Sequence, residues 1–136
     1  MLKWHAAYLV LRANRIATLA VTTTPRAWTR NKELAAANSM VRVGLGLHPQ
    51  LVGDNDNDIR LFEKYLPEAR FVGEVGLDAG PAHYKSYADQ KGIFETILRL
   101  CAQARGKILS IHSVRSARDV LSMIETHLAG TDVSVW

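Results

Sequence analysis

The chain carries a single cysteine, Cys101, so neither an internal disulfide nor a cluster of thiolate metal ligands can form within its 136 residues. Cys101 falls on the apolar face of a predicted helix and reads as a packed thiol. Long hydrophobic runs are absent too. The apolar stretch Tyr8–Leu11 is short, is followed by Arg12 and Arg15, and has no small-residue cleavage site after it. A helical span needs about 20 apolar residues. No membrane association is expected, and a cytoplasmic protein is. Neither charge sign is concentrated: 17 Lys and Arg stand against 13 Asp and Glu, for a net +4, with no Lys/Arg block. That balance permits a nucleic-acid partner without requiring one, since surface composition alone accounts for it. Nucleotide-binding loops are missing as well. Gly44-x-Gly46 lacks a third glycine, Pro49 follows where a helix should open, and no Gly-Lys-Ser/Thr sequence occurs.

What is present is an ordinary globular composition, 48% hydrophobic and 22% charged, on a chain long enough to bury a core. Residues 2–14 place Leu2, Ala6, Leu9, Val10 and Ala13 at helical spacing. Residues 16–23 (IATLAVTT) predict a strand, and Thr24-Pro25 an N-cap and first helical position for a helix to about Ser39. A second strand is predicted over 41–47, closed by His48-Pro49. The 53–58 segment (GDNDND) predicts a loop and cap for a helix carrying Ile59, Phe62 and Leu66, stopped by Pro67. Further strands are predicted over 70–76, 107–112 and 131–136. Between them lie a long helix with Phe94, Ile97, Leu98 and Cys101 on one face, ended by Gly106, and a last helix with Ala117, Val120, Leu121, Ile124 and Leu128.

Strands alternating with helices in units of about thirty residues imply parallel strands joined by right-handed crossovers. An open doubly wound sheet and part of a closed (β/α)₈ barrel both fit. A complete barrel takes about 250 residues, so a chain offering five strands cannot close alone. Opening on a helix and ending in a strand, it is expected to lack material on both sides. Without linkers or low-complexity segments, residues 1–136 read as a single domain.

In either architecture function gathers at the carboxyl ends of the strands. The polar residues found there are His48, then Glu74 with Asp78, then His112 with Ser113 and Arg115. Three consecutive strands would thus bring ionisable groups to one rim. Glu74 lies inside an apolar strand expected to be buried on both faces. A carboxylate so placed must be paired, protonated or on a metal, and an ion pair with a neighbouring Lys or Arg is the plainer alternative. For His112 the alternative is a hydrogen-bonded structural histidine. Arg115 stands at a helix N-terminus, against the dipole preference, which suggests an anionic ligand there; a solvent-facing arginine is the alternative. His5, His83 and His127 have no comparable placement and receive no role.

Three blocks, GLGLHPQ at 44–50, GEVGLD at 73–78 and ILSIHSVRSARDVL at 108–121, together resemble the TatD family of metal-dependent deoxyribonucleases. The resemblance runs from about Ile16 to Trp136, with GEVGLD its most specific part. LAVTTTP and SIHSVRSA are similar to the TatD-like component of Qat anti-phage defence systems, which would imply defence-system partner proteins. The family resemblance implies a partial (β/α)₈ TIM-type barrel that holds two divalent cations (Mg²⁺, Mn²⁺ or Zn²⁺) over a phosphodiester, with DNA as substrate. Such ions polarise the phosphoryl group and lower the pKa of a bound water. Carried onto this sequence, Glu74 and His112 become metal ligands and catalytic residues, His48 and Arg115 line the substrate cleft, and Asp78 supports the Glu74 loop. The family's opening His-x-His is not matched, since only Trp4-His5-Ala6-Ala7 stands near the start. The family's later His-x-Phe and Thr-Asp-x-Pro segments would fall beyond Trp136. The implied function is therefore a DNA phosphodiesterase in the intact form, impaired in this chain. The alternatives are a non-catalytic barrel fragment that binds or self-associates through unpaired strand edges, or an open α/β regulatory domain.

Overall fold

The computed structural model describes residue 13, residues 15–53 and residues 58–136. The helix predicted over 2–14 lies almost wholly outside these residues, as do positions 54–57 of the predicted loop. The described elements alternate as expected: β1 (Thr18–Val21), α1 (Pro25–Ala35), β2 (Val41–Gly44), α2 (Asp58–Tyr65), β3 (Phe71–Asp78), α3 (Tyr87–Ala104), β4 (Ile108–Val114), α4 (Ala117–Leu128) and β5 (Ser134–Val135). Short 3₁₀ turns occupy Pro49–Leu51, Leu66–Glu68 and Tyr84–Ser86. Every described ladder is parallel. β1 pairs with β2, β3 with β4 and β4 with β5, and a bridge between Leu45 and Val72 links the two sheets. Among the described residues the strands do not close into a ring. No described helix is long and apolar enough to cross a membrane.

Local chemistry explains most of the boundaries. Pro25 opens α1 with its φ already fixed, and Thr24 takes the extended conformation that a following proline demands. The Thr24 hydroxyl makes no capping bond, so it caps in position only. α1 ends at Ala35, four residues short of the predicted Ser39. Asn38 is the reason: its side-chain oxygen accepts the Met40 N–H at 3.0 Å, which diverts the backbone into a turn. β3 and β4 each run two residues past their predicted ends, because Leu77 and Asp78 pair with Ser113 and Val114.

The core is layered where α3 packs on β3, with Phe94, Ile97, Leu98, Val72, Val75 and Leu77 all at or near zero exposure. Each large apolar side chain buried this way is worth roughly 1.5–3 kcal/mol. Cys101 belongs to the same layer. Burial pushes its thiol up to about 12, and the nearby Lys107 charge only tempers the shift. Lys107, just before β4, is itself buried, and its ammonium donates to the carbonyls of Leu66 (2.8 Å) and Ala69 (2.9 Å). The Gly44-x-Gly46 pair has a packing reason instead of a nucleotide-binding one. A Cβ on Gly46 would stand 1.6 Å from the Thr22 carbonyl oxygen and 2.6 Å from the Glu74 nitrogen. Glycine there lets β1, the end of β2 and β3 converge.

Candidate metal centre

The convergence at Gly46 sets up the rim. The Glu74 N–H donates to the Thr22 carbonyl (3.0 Å), while the Thr22 N–H donates to the carbonyls of Gly44 and Gly73. The Thr22 hydroxyl donates to the Gly44 carbonyl and accepts the Gly46 N–H, both at 2.9 Å. The β3–β4 register shifts between Val72 and Val75, at Glu74, and the Gly73–Glu74 peptide is cis. Glu74 is not fully buried, contrary to the expectation from its place in an apolar strand. Its side chain is 31% exposed, because it leaves the ladder toward the open rim instead of entering a covering layer.

His48, Glu74 and His112 each turn a donor atom to one point, all within 4.8 Å of one another. His112 lies between two carboxylates, with Nδ1 3.1 Å from Glu74 Oε1 and Nε2 3.2 Å from Asp78 Oδ2. Asp78 is the fixed partner. It is 2% exposed, and its carboxylate also accepts from Gln50 Nε2 (2.7 Å) and the Gly80 N–H (2.8 Å), while its own N–H donates to Gln90 Oε1. Burial alone would raise the Asp78 carboxyl, but the hydrogen bonds from Gln50, Gly80 and His112 hold it below its ordinary value. An ionised Asp78 can only accept, so a neutral His112 ring donates its Nε2–H to Asp78 and turns its Nδ1 lone pair to a Glu74 oxygen. Two acceptors at that distance require a second proton or a cation between them. A ligating histidine whose other ring nitrogen donates to an outer carboxylate, which sets the tautomer, is a recurring metal-site arrangement.

His48 enters differently. Pro49 has no N–H, so the first free donor of the following 3₁₀ turn is Gln50, which donates to His48 Nδ1 at 3.3 Å. A neutral ring accepting at Nδ1 carries its proton on Nε2, which lies 3.6 Å from Glu74 Oε2. Burial, and then the charge of neighbouring His112, lower the His48 pKa against the opposing pull of Glu74 and Asp78. The ring therefore presents a neutral N–H to the cluster. The His48 and His112 rings meet edge to face with centroids 4.4 Å apart.

The structure thus brings together four of the five predicted site residues: His48, Glu74, Asp78 and His112. Arg115 stands apart. It is exposed, takes a left-handed φ of 51° at the bend after β4, and among the described residues makes no hydrogen bond or ion pair with the cluster. Ser113 bonds to Ser116, not to the cluster. The sequence reading missed Gln50, Gln90 and Thr22. Gln90 was detectable as a polar residue in the apolar stripe of α3, whereas Gln50 sits in a loop where glutamine carries no signal.

Comparison with known proteins follows the same outline. A family model described as TatD related DNase matches residues 8–134. The crystal structure of YjjV, a TatD homolog from Escherichia coli K12, superposes with a TM-score of 0.78 at 18% sequence identity. That match covers 93% of this chain and 52% of YjjV, so the chain spans about half the length of that solved relative. At this identity the likeness establishes the fold, a parallel α/β arrangement corresponding to part of a TIM-type barrel, and disfavours the open doubly wound alternative. No curated protein matches the chain.

Proposed function

This chain belongs to the TatD-related DNase family, and from that premise we propose that it is a metal-dependent phosphodiesterase acting on DNA. What carries the reading is the lone pair of His112 Nδ1 facing a Glu74 carboxylate oxygen at 3.1 Å, with Asp78 holding the ring's other nitrogen. In this reading Glu74 and His112 are the ligands this chain offers to a divalent cation such as Mg²⁺, Mn²⁺ or Zn²⁺, in a site expected to take two ions. When bound, the cation polarises a phosphoryl oxygen and acidifies a water. The protein's own groups do the rest. His48 Nε2–H, neutral and half facing Glu74, donates to a phosphate oxygen. Asp78 keeps the His112 ring in the orientation that frees Nδ1. Arg115, at the open edge, meets the flanking phosphate as a mobile cation.

Metal affinity rises with ligand count and fixed geometry, so two ligands make a weak site. The chain by itself is proposed to be an impaired catalyst, and residues 1–136 to be one partial barrel domain that works in the cytoplasm. Self-association through open strand edges belongs to the same reading. So does a place in Qat-type anti-phage defence with partner proteins, on the wording of residues 19–25 and 110–117. The test is cleavage of a labelled DNA oligonucleotide with added Mg²⁺ or Mn²⁺, in this chain and in a version completed to full barrel length. Glu74→Gln and His112→Ala are each expected to lower the rate by about 100-fold, the upper end of the loss on removing a partner of a metal site. Full activity in both variants would falsify the assignment.

A further inference from the structure

Beyond the cluster, one feature of the rim has no role in the metal chemistry. The loop from β3 to α3 carries Tyr84, a large aromatic residue that is 64% exposed. Its ring stacks on Tyr87 with centroids 5.8 Å apart and planes only 10° from parallel. Tyr87 in turn is clamped. Its hydroxyl donates to Asp119 Oδ2 at 2.9 Å, at the first turn of α4, and Lys91 Nζ reaches the same oxygen at 2.8 Å while lying 5.3 Å over the Tyr87 ring. One face of Tyr84 is therefore taken by a fixed ring, and the rest of the side chain lies largely in solvent.

The loop is tied to the cluster by a short chain of bonds. The N–H groups of His83 and Tyr84 both donate to the Gly80 carbonyl at 2.9 Å, and the Gly80 N–H donates to Asp78 Oδ1. Gln90 adds a second tie: its amide nitrogen donates to the His83 carbonyl and Ser86 Oγ, while its oxygen takes the Asp78 N–H. Asp78 is the residue that holds His112. The backbone that carries Tyr84 is thus tied to the residue that holds His112. Lys85 follows Tyr84 in the chain, and Lys91 and Arg118 both act on the Asp119 carboxylate, Lys91 as its ion-pair partner, with Asp89 opposing them. A rigid exposed aromatic face among cations suits an unpaired nucleobase, which stacks through its π-face while its phosphates meet the cations.

We propose that Tyr84, backed by Tyr87, is a stacking platform for an unpaired nucleobase of single-stranded nucleic acid entering the rim beside His112. The inference rests on the phosphodiesterase reading for its ligand class. Interior bases of a duplex are stacked on both faces, so the platform favours unpaired bases at frayed ends and in single strands.

The probe is a short single strand bearing 5-iodouracil near one end, made as DNA and as RNA, and added to the full chain without divalent cation. Fluorescence anisotropy reads affinity, and irradiation followed by mass spectrometry reads the residue cross-linked to the base. The expected result is a cross-link at Tyr84 and a roughly 5- to 150-fold weaker complex for Tyr84→Ala, with Tyr84→Phe retaining both affinity and cross-link. Whether the DNA strand, the RNA strand or both give this result identifies the source of the base, and each of these supports the platform. Unchanged affinity in Tyr84→Ala, a cross-link elsewhere, or no binding of either strand by the wild-type chain overturns it. The two readings fail separately. Stacked binding without cleavage under Mg²⁺ or Mn²⁺ removes the hydrolase and leaves the platform, whereas cleavage with undiminished affinity in Tyr84→Ala does the reverse.

Discussion

At His48 a backbone detail decides a protonation state. The missing N–H of Pro49 hands the Gln50 N–H to His48 Nδ1, and burial discourages a second proton on the ring. Its folded-state pKa lies below the ordinary 6.5, so the unfolded chain takes up that proton first as the pH falls. The stability contributed by neutral His48 is complete above about 6.5 and is lost as the pH drops below it toward the folded value. Asp78, also lowered, adds a second loss of the same sign that begins near its ordinary 3.8. Urea midpoints followed by tryptophan fluorescence are expected to fall between pH 7 and 5, and His48→Gln to flatten that fall. A midpoint insensitive to pH over this window would show that His48 is not held neutral. At this scale Glu74 and His112 were legible because charge inside a β-branched run has few structural uses. The anchors Gln50 and Thr22 were not, because neutral polar residues are common in loops and strand ends, and only the fold shows which oxygen they face.

Among the elements, the alternation of helix and strand was fully readable within the described residues, while element ends were not. A strand's length depends on its partner: β3 and β4 reach Asp78 and Val114 only because each finds the other there. β5 shrinks to Ser134–Val135, since only Ile108 and Leu109 are placed opposite it. The joint between α2 and β4 is held by a residue that patterning cannot flag. Lys107 looks like a strand-start lysine, yet its ammonium is buried on the Leu66 and Ala69 carbonyls and ties the turn after α2 to the start of β4. Lys107→Met keeps the stem and removes the donors: the Leu66 carbonyl keeps the Ala69 N–H, while the buried Ala69 carbonyl is left without its donor. At about 1–3 kcal/mol for one orphaned group, the variant is expected to lose about that much in urea denaturation. A loss under about 0.5 kcal/mol would mean that water replaces the ammonium.

Taken whole, the described molecule is a run of parallel strands with a ladder partner on one side only of β1 and of β5. Val135 and Trp136, 42% and 81% exposed, mark the β5 side. Unpaired apolar edges template association with other chains, so light scattering after size exclusion is expected to show mass rising with concentration, and Val135→Lys to reduce that rise. A constant monomer mass would rule out edge pairing. The sealed sulfur under α3 has a different consequence. Cys101 has zero exposure, and its thiol stays protonated until about 12, so an alkylating reagent can meet it only when α3 lifts from the layer beneath. With no other cysteine in the chain to compete, every label counts one such opening, and the protein keeps its own clock. Iodoacetamide at pH 8 is expected to mark the native chain far more slowly than the chain in urea. Any ion gripped at the opposite end of β4 should slow the clock further, since a ligand that binds only the closed state makes openings rarer.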